Sequence, residues 1–272
     1  MSIEATGSVN TALTSIQTNT ALQSANLQHL STGRKVNGLS DNPPAFSLAE
    51  GLLGRAGTLA DIGNSIGQGI GVLEAANNGL NAIGGVVNQL KALAQQAAAS
   101  SDSGQIKALQ DQYNSLAGQI DSLAADSSYG GANLIAANPG KLTVPGLSSG
   151  TGTTIVGQAA DAAALGVTPA ANWATNSANI SSDLAKLSGA TSQLQSRTAS
   201  LGGNLTELKI QASFTQGQGN IARQGAAGLT GVDAYQAAAN AVAAGAYRQL
   251  GQAALRNAVQ NQSSVLTLIG KS

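Results

Sequence analysis

The hydrophobic positions of this chain follow a seven-residue repeat over most of its length. Between residues 59 and 97 the intervals alternate between three and four without a break, at Leu59, Ile62, Ile66, Gly69, Leu73, Ala76, Leu80, Ile83, Val87, Leu90, Ala94 and Ala97. A strict seven-residue repeat predicts a helix in a left-handed coiled coil, because an ordinary surface helix has a period of about 3.6. At about 1.5 Å per residue, this segment predicts a helix about 60 Å long.

Two further segments keep the same spacing. Ser101-Asp102-Ser103-Gly104 predicts the end of one helix and the start of the next, and this short connection favours an antiparallel pair. The second segment contains Ile106, Leu109, Tyr113, Leu116, Ile120 and Leu123. The third contains Ile180, Leu184, Leu187, Thr191, Leu194, Thr198, Leu201, Leu205, Leu208 and Ala212. Three long helices that share one seam predict a rod-like bundle.

The terminal segments carry a thinner hydrophobic stripe. The amino-terminal stripe is Val9, Leu13, Ile16, Thr20, Gln23, Leu27 and Leu30, and the carboxyl-terminal stripe is Leu255, Val259, Gln262, Leu266 and Ile269. Polar residues interrupt both stripes, and isolated helices of this length are marginal in water. We therefore expect the two ends to pair with each other and with other copies of the chain.

Two breaks separate the helical segments. LSTGRKVNGLSDNPPAFSLAEGL (residues 30–52) has two glycines where a helix can stop, and then Asp-Asn-Pro-Pro, which is typical of a helix start. Between Asp126 and Thr175 helical spacing disappears, and Leu142–Val144 and Thr153–Val156 around a Pro/Gly/Ser loop predict a β-hairpin. We expect this hairpin, at about residues 140–157, to form a solvent-exposed tip of the rod.

Gly63, Gly67 and Gly71 predict a helix face that a neighbouring helix approaches closely.

The composition excludes several classes of function. The 13 basic and 13 acidic residues are scattered singly, and aromatic residues make up only 3% of the chain. Without a basic stripe or stacking aromatics, we expect no nucleic-acid binding. There is no cysteine, and His29 is the single histidine, so the ligands of a zinc site and the members of a catalytic triad are missing. We therefore expect no enzymatic activity, metal or cofactor.

The sequence predicts neither a cleaved secretory signal nor a membrane-spanning segment. The amino-terminal residues contain no basic segment followed by an apolar one, so we expect no cleaved secretory signal. No run of about eighteen apolar residues occurs, so we expect no membrane insertion.

Four segments, taken in order, resemble bacterial flagellins. Residues 30–52 are similar to the signature in which a leucine-ended helix meets a Ser/Thr-Gly turn, then a basic residue, an Asn and an acidic residue. Residues 66–103 and 109–135 resemble the two following rod helices, with Tyr129-Gly130-Gly131 in place of an aromatic-Asn-Gly turn. Residues 233–270 resemble the carboxyl-terminal helix, to which this chain adds a few residues.

The resemblance implies a mainly α subunit of the extracellular flagellar filament. Residues 1–32 and 230–272 would form a paired coiled-coil domain in the inner tube, 33–44 a spoke linker, and 45–229 the rod. Only about fifty residues separate Asp126 from Thr175, which leaves no room for outer domains. The implied partners are other copies in a helical homopolymer, an export chaperone of the flagellar type III apparatus, and the hook-associated junction and cap proteins.

The candidate self-assembly residues combine the terminal stripes with two linker charges. The set is Val9, Leu13, Ile16, Leu27, Leu30, Arg34, Asp41, Leu250, Leu255, Val259, Leu266 and Ile269. Arg34 and Asp41 would contact neighbouring subunits; the alternative is two solvated loop charges. Gln89 and Ala92 replace the Arg and Glu that innate-immune receptors of the Toll-like class recognise in some flagellins, so we expect weak recognition.

Two alternatives to a filament subunit remain open on the sequence alone. The junction protein that links hook to filament shares the terminal pattern, but it usually carries a larger central insertion. A secreted coiled-coil effector or adhesin-like protein would need a ligand surface, and neither aromatic residues nor a charged patch supplies one.

Overall fold

The chain folds into long helices and two small hairpins. A computed structural model describes residues 2–147 and 152–269; for residues 2–6, 8, 262 and 265–269 it describes the backbone alone. The elements in order are α1 (Ser2–Thr32), α2 (Pro43–Ala99), α3 (Ser103–Asp126), β1 (Ser128–Tyr129), β2 (Ala132–Asn133), β3 (Lys141–Pro145), β4 (Gly152–Val156), α4 (Ala162–Leu165), α5 (Ser177–Thr230) and α6 (Ala234–Ile269).

The chain forms two compact units. The central unit comprises Ala56–Asn220, and the terminal unit comprises the described residues up to Arg55 and from Ile221 onward. These divisions lie inside the predicted rod, because α2 and α5 continue without a break past residues 55 and 221.

The heptad positions form the core of the central unit, as predicted. All twelve positions predicted on α2, from Leu59 to Ala97, are buried. On α5 every seventh residue is buried, at Ile180, Leu187, Leu194, Leu201 and Leu208, whereas the intervening heptad positions are half-buried. On α3, Ala117 and Ala124 are buried, while Leu116 and Leu123 are half-buried beside them. The predicted seam is therefore present, and small residues occupy part of it on α3.

The turn between α2 and α3 is also as predicted. The Asp102 carboxylate caps α3 by accepting hydrogen bonds from the backbone N–H groups of Gly104 (2.7 Å) and Gln105 (3.2 Å). The Ser100 hydroxyl donates to the Gln105 side chain (2.7 Å). The two contacts of Asp102 satisfy backbone donors that the first turn of a helix leaves without partners.

The predicted hairpin exists, but it is not fully exposed. β3 and β4 pair antiparallel with Leu142 opposite Ile155 and Val144 opposite Thr153. Val144 and Ile155 are buried in the central core. The expectation of a solvent-exposed tip is therefore corrected, because one face of the hairpin packs on the helices. The loop residues 148–151 lie outside the described part of the chain.

The closest backbone approaches to α2 occur at Gly69, Gly71 and Gly79, where most of the neighbouring side chains belong to the hairpins or to the residues beside them, although Leu208 of α5 also approaches Gly69. A Cβ at Gly71 would lie 2.7 Å from Cε1 of Tyr129, and one at Gly79 would clash with the Ser127 side chain. Gly67 has nothing within 4 Å, and Gly63 has only Thr215 at 4.0 Å. The predicted glycine face is therefore wrong as a helix–helix contact, because only Gly71 of the three is closely packed, and its neighbour belongs to β1.

The resemblance implied a turn at residues 129–131, but the strand pairing on either side of it and a one-turn helix were not predicted. β1 and β2 are joined by Gly130 (φ 58°) and Gly131 (φ 83°), whose left-handed conformations favour glycine. The Asn133 side chain caps the carboxyl-terminal end of α3, because its Nδ2 donates to the carbonyl groups of Ala124 (2.8 Å) and Ala125 (2.9 Å). Its side-chain oxygen accepts from the N–H of Ile135 (2.8 Å). Such short elements carry no hydrophobic periodicity by which they could be recognised.

Trp173 anchors the segment between α4 and α5 to the central core. It is 1% exposed, and its ring centroid lies 5.0 Å from that of Tyr113 in an edge-on arrangement. Its indole N–H donates to the buried Asp183 carboxylate (2.8 Å), which also pairs with Lys186 (3.0 Å). Its backbone N–H donates to the Gln110 side chain (2.9 Å). This segment without regular structure is therefore tied to α3 and α5 at several points.

Because of Tyr113, the stability of the central unit should change with pH in the alkaline range. Burial, with a smaller contribution from the Asp183 carboxylate, raises the pKa of Tyr113 from 10.0 to about 12. Between these values the unfolded chain releases the phenolic proton and the folded chain keeps it. We expect the free energy of unfolding to fall as the pH rises through this range, relative to Tyr113→Phe, which has no such proton. Urea unfolding of both proteins from pH 9 to 12 measures this difference, and a constant difference would contradict it.

Candidate self-assembly surface

The terminal helices α1 and α6 pair side by side and run antiparallel. Ile16 lies against Gly251, and Gln23, farther along α1, lies against Gly245, earlier on α6. A Cβ at Gly251 would lie 2.9 Å from Cγ1 of Ile16, and one at Gly245 would lie 3.0 Å from Nε2 of Gln23. The two glycines therefore act as holes that receive side chains of α1. The predicted pairing of the chain ends is present within one subunit.

The predicted stripe on α1 separates into two rows. Val9, Ile16, Gln23 and Leu30, each seven residues from the next, are half-buried. Leu13, Thr20 and Leu27 form the other heptad row and are exposed, with exposed fractions of 45% for Leu13 and 53% for Leu27. One partner helix covers one row of a heptad seam, so the second row remains open to solvent.

Small residues form the paired face of α6. Ala237, Ala241 and Ala244 are buried, and Leu255 is half-buried. Leu250 and Val259 are exposed, with fractions of 65% and 51%. The side chains of Leu266 and Ile269 lie outside the described residues. The predicted α6 residues thus divide in the same way as those of α1: some face the partner helix and others face solvent.

Four exposed apolar residues on these helices were not predicted. They are Leu22, Tyr235, Val242 and Tyr247. Tyr235 and Val242 in the first half of α6 are seven residues apart, so they carry the same sequence signal as the predicted positions. They extend the open apolar surface along α6.

The linker between α1 and α2 is pinned to the break between α5 and α6. Arg34 forms an antiparallel bridge with Gly231, and the Lys35 N–H donates to the carbonyl of Thr230 (2.7 Å). Gly33 accepts from the N–H of Val232 (3.1 Å) and has φ 67°, which suits the residue after a helix end. The linker thus has fixed backbone partners on the carboxyl-terminal side of the chain.

The two predicted linker charges have different surroundings. The Asp41 carboxylate accepts hydrogen bonds from the backbone N–H groups of Asn37 (2.7 Å) and Gly38 (3.1 Å) within its own linker. Asn42, rather than Asp41, caps α2, since its side-chain oxygen accepts from the Ala45 N–H (3.1 Å). Arg34 is exposed. The structure therefore gives Asp41 a definite intrachain contact.

The terminal unit concentrates the exposed apolar side chains. Of the sixteen large hydrophobic residues that are exposed in the described part of the chain, eleven belong to this unit: Leu13, Leu22, Leu27, Leu39, Leu48, Ile221, Tyr235, Val242, Tyr247, Leu250 and Val259. Contiguous exposed apolar surface on a soluble protein typically marks an interaction site.

The described residues contain no cluster of potential metal ligands and no helix long and apolar enough to cross a membrane.

Residues 3–139 match the family model for the bacterial flagellin N-terminal helical region. The chain belongs to the bacterial flagellin family. Flagellins are structural proteins that polymerise into the extracellular flagellar filament used for motility, and this chain is a filament subunit of that kind. The matched region extends from the amino-terminal helix through the linker, α2 and α3 to β2.

Sequence similarity to other flagellins extends over nearly the whole chain. Flagellins FljM and FljK of Caulobacter vibrioides are each 25% identical over 271 residues, covering 94% of this chain and 99% of theirs. The crystal structure of Bacillus cereus flagellin matches with a TM-score of 0.47 and 21% identity, over 54% of this chain and 86% of that one. This flagellin is therefore about as long as its Caulobacter relatives.

A glycine substitution tests the pairing of α1 with α6. We expect Gly251→Ala to destabilise the terminal unit, because the new methyl group would lie 2.9 Å from Cγ1 of Ile16. Isoleucine branches at Cβ, so its side chain has few alternative χ1 rotamers within a helix. The control is Gly7→Ala on α1, which has nothing within 4 Å and should stabilise the helix by up to about 1 kcal/mol. Limited proteolysis of the monomer measures both; equal protection of the termini in the two variants would contradict the glycine-hole geometry.

Proposed function

We propose that this flagellin polymerises by burying the open rows of its terminal helices against neighbouring copies. The observation that carries this is that α1 and α6 cover only one row of each other's heptad stripe. Leu13 and Leu27 on α1 and Leu250 and Val259 on α6 would contact other subunits, joined by Leu266 and Ile269. Val9, Ile16, Leu30 and Leu255 would hold the pair together within one subunit.

The linker charges take different parts in this proposal. Arg34, which is exposed, would contact a neighbouring subunit, whereas Asp41 would hold the linker conformation through its hydrogen bonds with the backbone N–H groups of Asn37 and Gly38. The linker then presents the paired helices in a defined position, which a repeating helical polymer requires.

Hydrophobic burial is the driving force in this mechanism. The described side chains of α1 and α6 carry few charges, among them Arg248 and Arg256, so ion pairs contribute little between these helices. Each exposed Leu or Val would contribute about 1 kcal/mol or more when a neighbour covers it. Summed over many residues and both neighbours, such contributions favour the polymer over the monomer.

We further propose the domain arrangement and route expected for such a subunit. Residues 1–32 and 230–272 would line the inner tube, 33–44 would be the spoke, and 45–229 would form the rod. The type III apparatus of the flagellum would export the chain with the help of a chaperone. Junction and cap proteins of the hook-associated class would contact the ends of the growing filament.

Polymerisation of purified protein tests the proposal. Monomer is diluted into ammonium sulfate and examined by negative-stain electron microscopy, alongside chains that lack residues 2–32 or residues 234–269. We expect long filaments of uniform width from the full chain and none from either truncated chain, while circular dichroism shows that the central unit remains helical. Filaments from a truncated chain would overturn the proposal. Short stubs from the full chain would favour the hook–filament junction protein instead.

A further inference from the structure

The sequence contains two Asn-Gly pairs, of which one lies in the linker. The linker pair is Asn37-Gly38, and the other pair, Asn78-Gly79, lies within α2. Asn-Gly is the dipeptide most prone to deamidation, because glycine has no side chain to hinder attack by its backbone nitrogen on the asparagine side chain. Within a regular helix the backbone is fixed away from this geometry, so Asn78-Gly79 is an internal reference for a protected pair.

The Asp41 carboxylate holds both backbone N–H groups of the linker pair. One oxygen, Oδ2, accepts from the N–H of Asn37 at 2.7 Å and from the N–H of Gly38 at 3.1 Å. The Asn37 side chain is held separately, since its Nδ2 donates to the carbonyl of Arg34 at 3.1 Å. The attacking nitrogen and the carbon that it would attack are thus fixed by different partners.

The fold does not require glycine at position 38. Gly38 is not among the glycines with positive φ, and a Cβ built on it meets only the Ser40 hydroxyl, at 3.9 Å. Gly33 in the same linker does adopt a positive φ of 67°. Alanine at position 38 would therefore fit the backbone, and glycine there mainly leaves the Asn37 side chain open to attack.

We propose that Asn37-Gly38 is a deamidation site that the Asp41 carboxylate keeps unreactive in the folded linker. In the reaction, the Gly38 nitrogen loses its proton and forms a bond to Cγ of Asn37, and the side-chain nitrogen leaves as ammonia. Water then opens the resulting succinimide at either carbonyl to give aspartate or isoaspartate. A carboxylate hydrogen-bonded to the Gly38 N–H opposes the first step, because it would face the negative charge that develops on the nitrogen.

Conversion changes the linker in two ways. Both products add a negative charge close to Asp41, and like charges at this distance repel. Isoaspartate also routes the main chain through the Asn37 side chain and so lengthens the segment next to Val36, which is 4% exposed and pinned to Thr230. Chains that are unfolded for long periods would accumulate this change, whereas folded chains would accumulate it only slowly.

Mass spectrometry of the full-length monomer tests the proposal. Folded protein, protein unfolded in urea, and folded Asp41→Ala are incubated at mildly alkaline pH, and peptide mapping follows conversion at Asn37 and Asn78. We expect slow conversion at both sites in the folded chain and faster conversion at both sites in urea. Loss of a charged hydrogen bond should accelerate conversion at Asn37 in folded Asp41→Ala by about tenfold, with Asn78 unchanged.

Two further variants keep the test decisive. Gly38→Ala in urea should slow conversion at Asn37 alone, which identifies the Gly38 nitrogen as the nucleophile. Asp41→Asn retains an oxygen acceptor and should give an intermediate rate even if Asp41→Ala disturbs the linker. The proposal fails if folded wild-type protein converts at Asn37 as fast as in urea. It also fails if both Asp41 variants, with unchanged circular dichroism, convert at the wild-type rate.

Discussion

Replacing Leu13 and Leu27 together by glutamine is expected to prevent filament formation under conditions that suffice for the wild-type flagellin. These side chains are 45% and 53% exposed on α1 and do not face α6. Their remaining apolar surface is worth about 1.5–3 kcal/mol in total when a neighbour covers it, which corresponds to a roughly 10- to 150-fold higher critical concentration. Sedimentation of polymer over a concentration series measures this value, and the circular dichroism of the monomer should not change.

The matched control lies on the hairpin of the central unit. Leu147 and Val156 are also exposed large hydrophobic residues, and both belong to the central unit. Leu147→Gln with Val156→Gln therefore removes comparable apolar surface without changing the terminal helices. We expect the critical concentration of this control to remain close to the wild-type value. If the Leu13/Leu27 variant polymerised at the same concentration as the control, the open row of α1 would not be an assembly surface.

Trp173→Ala is expected to destabilise the central unit more than a substitution at any of its exposed positions. Removing a fully buried tryptophan costs about 3–5 kcal/mol, and it also leaves the buried Asp183 carboxylate without its indole donor. That is a large part of the 5–15 kcal/mol or so that stabilises a typical domain. Urea unfolding of the central unit, followed by circular dichroism, measures the change.

Trp173→Phe separates ring packing from the hydrogen bond. Phenylalanine keeps an aromatic ring near Tyr113 but cannot donate to Asp183, so we expect a loss of about 1–3 kcal/mol. Equal losses for the two variants would mean that the hydrogen bond, rather than ring burial, accounts for the effect. A negligible loss in both would show that the segment before α5 is not anchored by this residue.

Much of the helical framework follows from local sequence features. The turn at Asp102 was recognisable because a short carboxylate side chain before a helix start caps the free N–H groups of the first turn. The hairpin of β3 and β4 was recognisable from two short β-type runs around a Pro/Gly/Ser loop. The one-turn helix α4 and the hairpin of β1 and β2 are too short for any repeat, so no periodic signal indicated them.

Parts of the assembly surface were predictable and parts were not. The seven-residue spacing identified Leu13 and Ile16 as members of one stripe, but it does not state which heptad row a partner helix covers. The holes at Gly245 and Gly251 were not predicted, because a glycine within a helical pattern carries no sign of the side chain that will pack on it. Asp41 was predicted either to contact a neighbouring subunit or to be a solvated loop charge, and neither prediction included its hydrogen bonds to the N–H groups of Asn37 and Gly38.

Heptad spacing and turn residues alone determine that this flagellin consists of long helices with breaks near residues 38 and 102 and a hairpin near residue 150, because these features depend on neighbours within a few residues. Tertiary packing decides that the hairpin covers Gly69, that Trp173 reaches Asp183, and that the α1 stripe is half covered and half open. These outcomes depend on which distant segments meet, and a local repeat specifies a hydrophobic face without specifying its partner.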